Sequence, residues 1–380
     1  MTSKIIIEKA ALKAMVNACC KVIRAKNANP EFDNILIQAY SEENKLRMVA
    51  GDGGVWLNVT LDATEVEGDG IFCVDAATLR SMLADKDNQP VTLEANSDNE
   101  RLDVIFGHSS SFCAITNVDL YPELEQNSDY ITFGIESSPL ITATRRSMWA
   151  TEPEDGLRDI MRNVCLNICP LNACDIVASN GRVLICNSAQ CLSGYPSPVE
   201  IHIPKKVCGM MGDAFNSLEP ISVHLSEKSV FLSQGNVEVR FLRSTNKYPN
   251  YKAVIPLTFA HTVTITKQDL INALEYCQAF TVRSTRIVKL YFYGDRCDVG
   301  AFDYDSGKGA TKTIGASPNN PIDMQIGANV SSLLAMLKST PGRDILLRLN
   351  DPTSAFVVNP KEQEGVDFTG LIMPMQITNE

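Results

Sequence analysis

The segment Ile5-Ile6-Ile7-Glu8-Lys9-Ala10-Ala11-Leu12 runs from a short apolar strand straight into a helix start, and the pattern recurs. Ile131-Thr132-Phe133-Gly134-Ile135 leads into Glu136-Ser137-Ser138-Pro139-Leu140, and Thr262-Val263-Thr264-Ile265 leads into Thr266-Lys267-Gln268-Asp269-Leu270. The equivalent leucines, Leu12, Leu140 and Leu270, stand 128 and 130 residues apart. A second landmark agrees. Phe72-Cys73-Val74 precedes Asp75-Ala76-Ala77-Thr78-Leu79, Ile201-His202-Ile203 precedes Pro204-Lys205-Lys206-Val207, and Met324-Gln325-Ile326 precedes Gly327-Ala328-Asn329-Val330. Asp or Pro at such a start suits a first helical turn. Tyr121-Pro122, Tyr248-Pro249 and Met373-Pro374 close the three copies. A period of about 125–130 residues is the size of a domain and too long for a solenoid repeat.

Each copy reads the same way inside. A strand leads to a helix, here about residues 8–26 in the first copy, and alternating strands such as Asn34–Gln38 and Leu46–Ala50 follow. A second helix comes next, then three more strands, for example Val91–Glu94, Leu102–Phe106 and Phe112–Thr116. The middle copy repeats this with Ile221–Leu225, Ser229–Leu232 and Val237–Phe241. Short links such as Gln234-Gly235-Asn236 suit antiparallel hairpins. The expected fold is α+β, with two helices and antiparallel sheet in each of three tandem domains, 1–127, 128–256 and 257–380.

Composition bounds the function. A chain of 380 residues with 44% hydrophobic and 21% charged residues is neither disordered nor a single core. No apolar run approaches the ~18 residues of a membrane span, and the N-terminus lacks the pattern of a secretory signal. The expected location is the cytoplasm. Twelve cysteines then read as reduced, buried small hydrophobes. The densest stretch, Cys165 to Cys191, holds neither a Cys-x-x-Cys pair nor a His, so no zinc finger is expected in it.

The net charge of −11 argues against a nucleic-acid partner until the charges are placed. The first helix carries Lys9, Lys13, Lys21, Arg24 and Lys26 against Glu8 alone. The middle copy offers Arg145 and Arg146 on its first helix and Lys205 and Lys206 at the start of its second. The third copy adds Lys267, Arg283, Arg286 and Lys338 on or beside its helices, although Asp269 and Glu275 lie in its first helix. One such helix would be an ordinary solvated face. Basic helices recurring in an acidic chain point instead to a surface that meets phosphate backbone without reading sequence.

No catalytic constellation emerges. Ser306-Gly307-Lys308-Gly309 has Gly where a phosphate loop needs Ser or Thr after the Lys, so it reads as a hairpin loop. Gly51-Asp52-Gly53-Gly54 reads as a turn. The four histidines are scattered, and His202 and His224 fall on strands. Neither a metal nor a cofactor is expected.

With these landmarks in place, the chain resembles the bacterial DNA polymerase III beta subunit, or sliding-clamp, family. Lys247-Tyr248-Pro249-Asn250-Tyr251-Lys252-Ala253-Val254-Ile255-Pro256 resembles that family's Arg-Phe-Pro-Asp-Tyr-Arg-Arg-Val-(Leu/Ile)-Pro. Leu371-Ile372-Met373-Pro374-Met375-Gln376-Ile377 resembles its closing (Val/Leu)-(Val/Ile)-Met-Pro-Met-Arg-Leu. Ala178-Ser179-Asn180-Gly181-Arg182 resembles its Ala-Thr-Asp-Gly-His-Arg-Leu turn, Leu166-Asn167 its Leu-Asn-Gly, and Asn34-Ile35-Leu36 its Asn-(Ile/Leu)-Leu.

The resemblance implies a non-catalytic homodimer closed head to tail into a ring, with helices around a hole that holds duplex DNA. It implies a clamp that tethers the replicative polymerase and works at the bacterial nucleoid. It also implies a pocket for short peptides of polymerase, clamp loader and repair proteins. Carried over, the pocket comprises Leu166, Ser179, Gly181, Arg182, Val183, Leu184, Pro249, Ala253, Val254, Leu371, Ile372, Met373, Pro374, Met375 and Gln376. Ala253 and Gln376 replace frequent arginines of the family, and Val183 stands where Arg usually follows His, so a different peptide preference is expected. At the ring joint, Phe112 and Ala114 are expected opposite Ala279 and Phe280 of the partner chain. Two other readings fit the repeat alone: an enzyme on a triplicated scaffold, or a protein-assembly scaffold that never holds DNA.

Overall fold

The computed structural model describes residues 2–23, 29–86, 89–96, 99–116, 118–119, 121–122, 130–168, 173–190, 198–363 and 365–377. The first run of elements is β1 (Thr2–Ile7), α1 (Lys9–Val22), β2 (Asn34–Tyr40), β3 (Lys45–Gly51), β4 (Val55–Asp62), β5 (Glu65–Glu67), β6 (Gly70–Asp75), α2 (Ala76–Met82), β7 (Val91–Asn96), β8 (Arg101–Phe106) and β9 (Ser109–Thr116). The second is β10 (Ile131–Ile135), α3 (Ser137–Ser147), β11 (Asn163–Ile168), β12 (Ala173–Ser179), β13 (Val183–Gln190), β14 (Val199–Pro204), α4 (Lys205–Ala214), β15 (Ile221–Leu225), β16 (Ser229–Gln234) and β17 (Val237–Leu242). The third is β18 (His261–Thr266), α5 (Lys267–Cys277), β19 (Ile287–Tyr293), β20 (Arg296–Asp303), β21 (Lys308–Gly315), β22 (Ser317–Pro318), β23 (Asp323–Asn329), α6 (Val330–Ser339), β24 (Asp344–Leu349), β25 (Phe356–Pro360) and β26 (Asp367–Ile372). The order strand, helix, strands, helix, three strands therefore recurs three times in an α+β chain. Six α-helices lie among the described residues.

Local chemistry sets the helix starts. The Asp75 carboxylate accepts from Thr78 N at 2.7 Å and caps α2. The Asn329 side chain accepts from Ser332 N at 3.1 Å and caps α6. Each cap satisfies a backbone donor that the helix leaves without a partner, worth about 1 kcal/mol. Helix α1 ends at Val22, and Ile23 is extended, so the helix is shorter than the charge pattern suggested. Arg24 and Lys26 lie outside the described residues.

The chain packs as two compact units rather than one per repeat. One holds Met1–Ile141, Cys191–Tyr195 and Ile203–Thr245; the other holds Thr142–Gln190, Pro196–His202 and Asn246–Glu380. Strand pairing between copies is the reason. In the first unit β17 pairs antiparallel with β4, Phe241 opposite Val55 and Val237 opposite Val59. In the second, β13 pairs with β26 in the same fashion, Val183 opposite Ile372 and Ser188 opposite Asp367.

The first unit has a 13-stranded sheet in the order β10-β15-β16-β17-β4-β3-β2-β6-β9-β8-β7-β1-β5, with α1 packed on α2, α4, β3 and β4. The second has a nine-stranded sheet, β14-β11-β12-β13-β26-β25-β24-β18-β22, and a four-stranded one, β21-β20-β19-β23. There α5 packs on α6, β18, β20 and β21. The loop around Ser306–Gly309 is a hairpin turn between β20 and β21, with Gly307 at φ 63°.

Candidate functional site

The second unit gathers an apolar cluster of Cys165, Val177, Leu184, Cys186, Tyr248, Tyr251, Val357 and Leu371, flanked by Ile160, Ile255, Phe259 and Ala355. Strand register explains it. Cys165 pairs with Val177, Val177 with Cys186, Ser179 with Leu184, and Leu184 with Leu371, so these side chains share one face of the sheet. Leu166, the next residue along β11, is turned to the opposite face and is fully buried. Of these two neighbours, Cys165 and not Leu166 belongs to the apolar cluster. By the same alternation Val183 and Ile372 belong to the other face, and both are buried.

The remaining expected residues form a rim. Gly181 sits at φ 81° in the turn between β12 and β13, a backbone state that glycine adopts without strain. The Asn180 side chain closes that turn by accepting from Arg182 N at 3.0 Å and Val183 N at 3.1 Å. Ser179 Oγ donates to Val183 O at 2.8 Å. Arg182, Pro249, Ala253, Val254, Met373 and Gln376 are exposed, while Pro374 and Met375 are half-buried. Met373 N donates to Arg182 O at 2.8 Å, which ties the C-terminal segment to the turn. Met375 N donates to Gly327 O at 2.8 Å. A Cβ on Gly327 would lie 2.4 Å from Met375 O, so a side chain there would displace the segment.

One polar network braces the rim. Tyr251 Oη donates to Asp175 Oδ2 at 2.7 Å, Ser188 Oγ donates to Asp175 Oδ1 at 2.7 Å, and Lys252 Nζ lies 3.0 Å from Asp175 Oδ2. Asn167 Nδ2 donates to Tyr251 Oη at 2.9 Å. Burial pushes the Asp175 carboxyl up, but the bonds from Ser188, Tyr251 and Lys252, with the lysine charge, outweigh it and hold the group below its ordinary value. Burial raises the Tyr251 phenol well above its usual range. An apolar floor with a braced polar rim suits an extended peptide that buries alternate side chains.

Sequence reasoning did not single out Cys165, Cys186, Tyr248 and Tyr251 as members of this cluster, nor Arg158, whose Nη1 lies 2.8 Å from where a Gly181 Cβ would stand. Only the alternation of β11 could have favoured Cys165 over Leu166; the loop position of Arg158 leaves no sequence signal. Two cavities, of about 520 and 650 Å³, lie in the first unit and contain none of these residues.

The basic helices divide into exposed and engaged cations. In the first unit Lys21 and Lys205 are exposed and Lys13 is half-buried. Lys21 Nζ meets Asp213 Oδ2 at 2.6 Å and Gly209 O at 2.9 Å, joining α1 to α4. Two expectations are corrected. Lys9 is only 2% exposed, with Nζ 3.7 Å from the centroid of the Phe106 ring. It falls on the buried stripe of Leu12, Val16 and Cys19, so its charge meets an aromatic face rather than solvent. Lys206 forms an ion pair with the buried carboxylate of Asp52 and is spent inside the unit.

In the second unit Arg145 and Lys338 are exposed, with Lys338 Nζ 2.8 Å from Glu275 Oε1. Burial and the adjacent Arg145 push the Arg146 guanidinium down, and burial and Arg146 push Lys267 down. Cations crowded in this way are relieved by a bound anion.

The expected joint residues lie on strand β9 in the first unit and, in the second, in a short 3-10 turn, Gln278–Phe280, that follows α5 and packs beside β21. Strand β9 pairs with β6 only at Ile115 and Thr116, so Ser109–Ala114 bond to β8 alone. Phe112 on that edge is 63% exposed, with the Arg101 guanidinium 4.0 Å from its ring centroid. In the second unit β21 ends the four-stranded sheet. Ala279 is exposed and Phe280 half-buried, and the Phe280 ring lies 5.6 Å from that of exposed Tyr276.

Comparison with known proteins agrees with this architecture. Residues 3–125 match the model of the DNA polymerase III beta subunit N-terminal domain, and residues 252–376 match that of its C-terminal domain. The beta sliding clamp of Synechocystis is 20% identical over 99% of this chain and 100% of its own. That of Caulobacter vibrioides is 21% identical over 98% of this chain and 100% of its own. The crystal structure of the Thermotoga maritima DNA polymerase III beta subunit superimposes with a TM-score of 0.86 at 20% identity, covering 99% of this chain and 100% of that one. A Pseudomonas aeruginosa sliding clamp gives 0.83 at 19% identity, with the same coverage. On the two domain matches and the full-length agreement, the chain belongs to the DNA polymerase III beta subunit family, the beta sliding clamps.

Proposed function

We propose that two copies of this chain close head to tail into a ring around duplex DNA and tether the replicative polymerase, with no catalysis of their own. Family membership carries this reading, and the placement of exposed cations on helices of an acidic chain supports it. Each chain supplies three tandem domains, 1–127, 128–256 and 257–380, consistent with the threefold element order. Lys13, Lys21, Lys205, Arg145, Arg146 and Lys338 face the backbone. Their contacts neutralise phosphate without base readout, often through water, which permits sliding. The expected setting is the bacterial cytoplasm, on the nucleoid.

The joint pairs the β9 edge of one chain with the β21 edge of its partner, with Phe112 and Ala114 against Ala279 and Phe280. Adding strand to strand at two exposed edges closes both, and a head-to-tail contact that closes gives a ring. The groove around Leu184, Tyr248, Leu371 and Met373 to Gln376 receives short peptides from polymerase, loader and repair proteins. A Pseudomonas aeruginosa clamp solved bound to griselimycin shows that a relative accepts a ligand. The test is retention on circular DNA. A clamp loaded on a nicked circle should stay bound in high salt and run off once the circle is cut, whereas equal loss from both forms would refute encirclement.

A further inference from the structure

Strand β14 places Glu200 and His202 on one face, two residues apart, and β11, its neighbour in the nine-stranded sheet, carries Cys165. The thiol sulfur, a carboxylate oxygen and an imidazole nitrogen all lie within 4.8 Å of one another. Cys165 and His202 are buried, and His202 is 4% exposed. Glu200 is half-buried, which leaves a path from solvent. His202 Nε2 is 3.7 Å from Glu200 Oε2, already close to the about 3.3–3.8 Å between ligand atoms of a tetrahedral zinc site with bonds of about 2.0–2.3 Å. Small side-chain rotations would bring Cys165 Sγ to the same range. Glu200 Oε2 also accepts from Tyr248 N at 3.1 Å, and the His202 ring stacks on Tyr248 at 6.1 Å and 24°. A carboxylate oxygen has two lone-pair sites, so Oε2 can hold that amide and ligate with the other.

We propose that Cys165, Glu200 and His202 form a binding site for a borderline divalent cation of the Zn2+ class, with a water in the fourth position. The donor set decides the class. A thiolate with an imidazole suits zinc and excludes magnesium and calcium, which take oxygen ligands. Binding releases the thiol proton to solvent, so charge balances with no redox step. The ligands come from strands about 35 residues apart in sequence, which is why no short-spacing pattern announces them. Through Glu200 the cation would fix the Tyr248 amide beside the peptide groove. The site itself requires nothing of the clamp reading.

The full-length protein titrated with Co2+, a spectroscopic stand-in for Zn2+, tests it. The expected result is one tight equivalent with thiolate-to-cobalt charge-transfer absorption, displaced by Zn2+ and abolished by Cys165→Ser. Glu200→Gln, which keeps a side-chain oxygen to accept from Tyr248 N, should weaken Zn2+ at least tenfold in competition with a chromophoric chelator. Absence of the charge-transfer band in the unmodified protein would overturn the proposal, with no variant required. Retention of the band in Cys165→Ser, or an unchanged Zn2+ affinity in Glu200→Gln, would overturn it equally.

Discussion

Asp52 Oδ1 accepts from the backbone N–H groups of Gly54 and Val55 at 3.0 and 2.9 Å, and Asn180 Oδ1 accepts from those of Arg182 and Val183 at 3.0 and 3.1 Å. The next residue in each turn is a glycine in the left-handed region, Gly53 at φ 83° and Gly181 at φ 81°. The two turns thus share one mechanism, although their side chains have diverged. Trp56 follows the first turn where Leu184 follows the second, and Asp52 also holds Lys206. In the first unit the turn borders an aromatic cluster of Phe32, Trp56 and Tyr121; in the second it borders the proposed groove.

Gly181→Ala should destabilise the protein by about 1–2 kcal/mol, because an L residue is strained at this φ and its Cβ meets Arg158. A lowered denaturant midpoint with unchanged slope is the expected result. An unchanged midpoint would mean that the turn relaxes freely.

Met373→Asp should abolish binding of a partner peptide while leaving fold and dimer intact. Met373 is exposed on the rim, and its backbone rather than its side chain bonds to Arg182. Fluorescence anisotropy with a labelled polymerase peptide, beside the solution mass, reads both. Full binding by the variant would displace the groove from this position.

The Asp175 carboxyl is held below its ordinary value in the folded chain. Its stabilising contribution is therefore present above the unfolded value, near about 4, and is lost as pH falls through the folded one. Asp175→Asn should reduce stability by about 2 kcal/mol at neutral pH and flatten the acid limb of the stability profile. Parallel profiles for both proteins would contradict this.

Lys13→Glu, Arg145→Glu and Lys205→Glu combined should weaken retention on DNA and reduce its salt dependence by about one unit of slope per lost phosphate contact. Lys9→Met should leave retention unchanged, since Lys9 is enclosed against Phe106. Equal effects of the two changes would refute the separation of enclosed Lys9 from the cations that reach solvent.

Much of the fold was legible because it is local. The strand-to-helix starts at Ile5–Leu12, Ile131–Leu140 and Thr262–Leu270 all recur as β1–α1, β10–α3 and β18–α5. Face assignments were less legible. Counting lysines on α1 ignored helical phase, which puts Lys9 with Leu12 and Val16. Similarity alone does not carry the period of two, by which Cys165 and not Leu166 joins the apolar cluster. The pairing of β13 with β26 and the approach of His202 to Cys165 join distant segments, and no local pattern encodes either.

The ring is the central claim, and electron microscopy of the purified protein with its mass measured in solution tests it most directly. The expected result is a closed ring at twice the 41.7 kDa chain mass, with a hole wide enough for duplex, converted by Phe112→Ala to single chains or open forms. A compact particle without a hole, at any mass, would contradict the account.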